Sequence, residues 1–209
     1  MKLIVVAALL VVAVGLGGCS TAPYARGEAA SSGLVSAARS LEAADRSLDA
    51  ALASLRELGQ GEGDLRARFN GFSRSLDNLA SSANSVRGEA EAIRTEGESY
   101  FKWWEQQVAN VNNEDLRAAS AARRQQIRAD FAKIDATYQS LRAAYTPFMR
   151  NLRDIQTVLG TSLTPALVTS VRPSIDSSLV QGAEVRRLLN ELIAKYREVG
   201  VSLSAAPAK

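Results

Sequence analysis

Between Leu65 and Trp104 the apolar and small residues recur alternately four and three positions apart. They are Leu65, Phe69, Phe72, Leu76, Leu79, Ala83, Val86, Ala90, Ile93, Gly97, Tyr100 and Trp104. That spacing averages about 3.5 residues, close to one helical turn, so these side chains form one stripe along a single helix. A strand alternates with a period of two and cannot gather them on one face. The stripe has to be covered by other helices. Ala83, Ala90 and Gly97 are small enough to let a neighbour approach closely. Gly71, Gly88 and Gly97 each cost a helix roughly 1 kcal/mol against alanine, so tertiary packing has to hold this one together.

Three further segments carry the same pattern. In the first, Leu34, Leu41, Leu48 and Leu55 recur every seven residues, with Ala37 or Ala38, Ala44, Ala51 and Leu58 between them. It stops at the glycine-rich stretch 59–63. In the third, Ile127, Phe131, Ile134, Tyr138, Leu141, Tyr145, Phe148, Leu152, Ile155 and Leu159 keep the four-three spacing. Asn113 is its expected cap, and Pro147 should bend it. The fourth opens on Thr164 and Pro165, a cap followed by proline at the first helical position. Its stripe runs from Val168 to Val199; Pro173 interrupts it, and Ser178 and Gly182 should leave its middle thinly packed. The expectation is an all-α fold, one antiparallel four-helix bundle or coiled coil over residues 33–200. Its helices should span 33–58, 64–110, 114–159 and 165–199, with a non-helical tail at 201–209.

The expected lengths are unequal. The two middle helices should run about 65 Å, longer than the outer pair. Helix one should begin near the level of Ile93, and helix four should end near the level of Gln125. Beyond those levels the middle helices have only each other, so they should project as a two-helix hairpin by very roughly 15–20 Å.

Residues 1–19 have a different character. Met1 and Lys2 form a short positive start, and Leu3 to Val14 is an unbroken apolar run, too short for a typical spanning helix and suited to a secretory signal. Leu16, Gly17, Gly18 and Cys19 then resemble a bacterial lipobox. Cys19 is the chain's only cysteine and stands at the one position such a motif needs. The expectation is a signal peptide over 1–18 and a diacylated, N-acylated Cys19. Two or more acyl chains anchor stably where one does not. Ser20, by resemblance to enterobacterial sorting, favours the outer membrane facing the periplasm over the inner membrane. Residues 19–32 are read as the lipidated cysteine and a flexible tether.

There is no histidine in the chain. That removes Ser-His-Asp and Cys-His nucleophilic systems and the histidine-based zinc and di-iron sites. No acid pair on an apolar face takes their place, so the expectation is a non-enzymatic protein with no metal and no cofactor. The net charge of +3 includes Lys2, which leaves with the signal, and a near-neutral mature chain argues against nucleic-acid binding.

The candidate contact residues lie at the hairpin tip. Trp103 and Trp104, the only tryptophans, follow Tyr100 and Phe101. Tyr100 and Trp104 fall on the stripe and should hold the tip together. Phe101 and Trp103 fall off it, and either cover the edge of the seam or meet a partner protein or a membrane interface. Arg123 occupies a stripe position and should snorkel or pair with an acid such as Glu98 or Glu105. Arg186 and Arg187 read as a solvated face.

Several of these residues also carry a resemblance. Trp104 with Glu105, Asn113 followed by Leu116, Arg117 and Ser120, Tyr138 with Leu141, and Pro147 ahead of the apolar run to Leu159 are similar to a bacterial family of unknown function, DUF2959. That resemblance implies a helical, lipobox-bearing envelope protein and no mechanism. The leading functional expectation is a lipid-anchored scaffold or adaptor whose tip meets an envelope partner. One alternative is an envelope–wall linker, because the small-residue tail ending in Lys209 resembles that of murein lipoproteins, joined to peptidoglycan through a C-terminal lysine. Another is a helical bundle that binds a small ligand near Ser178 and Gly182.

Overall fold

The computed structural model describes residues 24–204, and these form four antiparallel helices. Helix α1 spans Ala25–Gly59, α2 Leu65–Ala109, α3 Glu114–Thr161 and α4 Pro165–Leu203. The caps follow from the chain. Asp64, Asn113 and Thr164 each accept a hydrogen bond from the backbone N–H three residues on, at 3.0, 3.1 and 3.2 Å. Gly61 and Gly63 turn the chain between α1 and α2 with φ of 72° and 69°, values that favour glycine. Helix α3 continues through Pro147 and α4 through Pro173.

Each helix contributes its stripe to one core. Leu34, Leu41, Leu48 and Leu55 meet Phe72 and Leu76, Phe148 and Leu152, and Ile175 and Leu192, all nearly or wholly buried. The closest seam lies between α1 and α4. A Cβ on Gly182 would come within 2.4 Å of the Leu52 side chain, and one on Gly200 within 3.3 Å of Val35. The middle of α4 is therefore not thinly packed. Leu52 occupies the space that Gly182 leaves, and Ser178 is fully buried beside it. Ser31 Oγ donates to the Gly200 carbonyl at 2.7 Å, tying the two helices near their outer ends.

Both outer helices run further than the sequence suggests. The stretch expected as tether is helical from Ala25, and the expected tail is helical as far as Leu203. Gly27 and Ser31 are small, and their low helix propensity hides the helix; α4 buries them, and packing outweighs propensity. The expected levels hold at residue 33, since Gly33 lies against Ile93 and Glu96. Two more turns of α1 then carry Arg26 to Trp103, and Arg123 reaches the Ser202 carbonyl at 2.8 Å. Helices α2 and α3 accordingly project past the other pair by only about 10 Å.

The α1–α4 seam makes two opposite predictions. Gly182→Ala should lower stability by about 1–3 kcal/mol, because Leu52 must shift. Ser178→Ala should raise it by about 1 kcal/mol, because Ser178 Oγ is buried with no hydrogen-bond partner among the described residues. Urea denaturation followed by circular dichroism reads both.

Candidate functional site

The tip aromatics form one cluster, differently arranged from the expectation. Phe101 is buried, at 5% exposure, while Tyr100, Trp103 and Trp104 are half-buried. Phe101 is thus a core residue of the tip and not an off-stripe contact. An α-helix drifts by about 20° per heptad against a strict seven-residue repeat. Over the five heptads from Leu65 the seam moves by about one residue, from Tyr100 to Phe101. Ile93, Gly97 and Phe101, four apart, are the residues actually buried there. Gly97 lets the Phe131 ring in, and the Phe101 and Phe131 rings meet edge to face at 5.3 Å. Arg128 lies over Phe101 at 4.9 Å.

The remaining aromatics cap that core. Tyr100 stacks on Trp103 at 6.1 Å and tilts against Trp104 at 5.5 Å. Burial pushes the Tyr100 phenol up, with Arg123 acting against it. Trp104 Nε1 donates to Ser120 Oγ at 2.8 Å, which joins α2 to α3. The Arg26 guanidinium sits 5.1 Å from the centre of Trp103. Arg123 does not pair with Glu98 or Glu105; its neighbour Arg124 takes Glu105, at 3.3 Å. Leu116 and Tyr24 are exposed at this same end. Cys19 and Lys209 lie outside the described residues.

Arg187 stands on a solvated face as expected, while Arg186 is less exposed and pairs across to α1. Arg186 pairs with Asp45 and Asp49 of α1, and Arg187 with Glu184 and Glu191 of its own helix. Among the described residues no group of three or more acidic or cysteine side chains could hold a metal ion. No described helix is long and apolar enough to cross a membrane.

A family model matches residues 30–199. The chain belongs to the DUF2959 family, described as proteins of unknown function. That match takes in α2, α3 and the tip of this DUF2959 member entirely, and α1 and α4 except for their outermost turns. No match was found among curated proteins or among solved structures.

One feature of this DUF2959 chain has no counterpart in the sequence reading. Ala83 and Ala90, expected to draw a neighbouring helix close, instead line clefts between α2 and α3. The cleft at Ala83 has a volume of about 550 Å³ and reaches Leu48 of α1 and Leu189 of α4 at its floor. Arg87, Arg142, Arg150 and Arg153 stand around it. The spacing carries little signal of it: Arg87 and Arg150 each have an acid four residues on, Glu91 and Asp154, and which helices face each other there is not written in the spacing.

Two measurements test this geometry. Phe101→Ala should cost about 3 kcal/mol in urea denaturation and Trp103→Ala less than half of that, because only Phe101 is core. The second concerns Tyr145, which lines the cleft and whose phenol burial pushes up to about 12, against the pull of Arg153. The unfolded phenol ionises near 10, so the folded state holds the proton more tightly. The stability it contributes is complete below pH 10 and is lost as pH rises toward 12, by on the order of 2 kcal/mol. Tyr145→Phe should flatten that decline.

Proposed function

We propose that this protein is a lipid-anchored, non-enzymatic envelope protein. It is held in the outer membrane through an acylated Cys19, faces the periplasm and acts as a helical scaffold or adaptor. The observation that carries the reading is the contact of Arg26 with Trp103. It brings the start of α1 to the aromatic end of the bundle, and only seven residues separate Arg26 from Cys19 in the chain. Fully extended, that stretch spans at most about 25 Å.

An anchor on Cys19 therefore holds the tip at the membrane-proximal end, and the far turns of the bundle stand about 70 Å away. This reverses the simplest picture of a body near the lipid and a tip reaching outward. Trp103, Trp104 and Tyr100 are residues that settle at a lipid–water interface, and Leu116 and Tyr24 add exposed apolar surface beside them. Charges near the tip nearly balance: Arg26, Lys102, Arg117, Arg123, Arg124 and Arg128 stand against Glu28, Glu98, Glu105, Glu114 and Asp115. Aromatic seating, rather than attraction to anionic lipid, is the contact that composition supports. The long outer faces of the bundle then remain free to hold partners at a set height.

The acylated protein reconstituted into vesicles containing brominated phospholipid is expected to show strong quenching of its tryptophan emission. The Cys19→Ser chain, mixed with the same vesicles, is expected to show little. Unquenched emission from the acylated protein would place the tip away from the membrane. Recovery of the Cys19→Ser chain in the membrane fraction of cells would remove the anchor itself.

A further inference from the structure

The cleft between α2 and α3 differs from the rest of the surface in its charge. Along the α1–α4 face arginines meet acids: Arg186 pairs with Asp45 and Asp49, and Arg197 with Glu42. At the cleft, Arg87 of α2 and Arg142, Arg150 and Arg153 of α3 make no ion pair with any described residue, and Asp154 is the only acid in the lining. Like charges on two facing helices repel, and Asp154 in the lining and Glu91, one turn along α2 from Arg87, offset them only in part.

Beneath the arginines the lining turns apolar. Leu79 and Val86 of α2, Leu141 and Met149 of α3, and Leu48 and Leu189 from the opposite pair form the floor. All four helices contribute, so the cleft enters the interior of the bundle and is more than a shallow surface trough. Its volume of about 550 Å³ falls within the usual range of a small-molecule site. Toward the tip it passes Tyr138 into an adjoining region where Glu91 and Asp135 mix with Arg87, Arg94 and Arg142. Arg87 and Arg142 line both regions, and the surplus of arginine is greatest on the side of Arg150 and Arg153.

We propose that this cleft binds a long-chain fatty carboxylate, its chain on the apolar floor and its head between Arg87 and the arginines of α3. The carboxylate supplies the negative charge the rim lacks, and guanidinium is the donor best shaped to grip it. A flexible single chain fits a narrow floor that runs lengthwise between two helices. This inference stands apart from the anchored-scaffold reading and survives its failure.

Isothermal titration of the full Cys19→Ser chain with oleate, kept below its micelle concentration, tests it. Saturable binding is expected, with oleyl alcohol weaker by about tenfold or more, since it keeps the chain and loses the charge. The double variant Arg87→Ala, Arg142→Ala should lose about tenfold in affinity, and the matching pair of lysine substitutions should recover part of it. Ala83→Phe fills the cleft from α2 and should abolish binding, with circular dichroism confirming that each variant keeps its helices. Equal binding of oleate and oleyl alcohol by the unaltered cleft would overturn the role of the arginines. Non-saturable uptake, unchanged binding by Ala83→Phe, or no binding of oleate would overturn the site and leave the cleft to an acidic helix of a partner protein.

Discussion

Leu52 seated on Gly182 sets the level at which α1 and α4 meet. The contact works because one helix lacks a side chain where the other presents a long one. Shifted by a turn in either direction, Leu52 would face Ser178 or Arg186. With the level set, the acids of α1 come opposite the arginines of α4, and Ser31 comes opposite Gly200. The same level carries the start of α1 to Trp103. The place of the first turns of α1 beside the tip thus depends on a glycine in the middle of a different helix.

The other long pair is joined differently. Helices α2 and α3 touch least of all the neighbouring pairs. They are tied at the tip, where Phe131 enters against Gly97 and Trp104 reaches Ser120. They come together again near the far turns, where Phe69 lies against Gly160. Between those points each leans on its outer neighbour, α2 on α1 and α3 on α4. A four-helix core can hold this way because every helix still buries a stripe on two others, and the loss is confined to one side.

What the sequence made legible follows from which interactions are local to one helix. The four helices, their three turns, the caps at Asn113 and Thr164 and the projecting tip are all readable from periodicity and punctuation. Phe101 was misplaced because a seven-residue count accumulates error over a long straight helix. The first turns of α1 resemble a linker in sequence because Gly27 and Ser31 are small and polar or flexible until Tyr100 of α2 and the end of α4 cover them. Of the two readings of Arg123, a snorkelling side chain or an acid partner, the exposed position fits the first, and the partner it finds is a carbonyl at the far end of the chain. Gly182 read as a gap because the side chain that fills it belongs to α1. The cleft left no periodic signature, since it depends on two helices failing to meet.

That failure has an electrostatic reason. The α2 face toward α3 is lined by Ala80 and Ala83, small enough for α3 to close upon. Opposite them stand Tyr145 and the arginines of α3, and Arg87 stands among the alanines. Closure would bring Arg87 toward Arg142 and withdraw both from water, a cost that Glu91 and Asp135 nearby meet only in part. It would also bury the Tyr138 and Tyr145 phenols further, when burial already holds both pKa values above the ordinary range. The small residues invite contact and the charges refuse it.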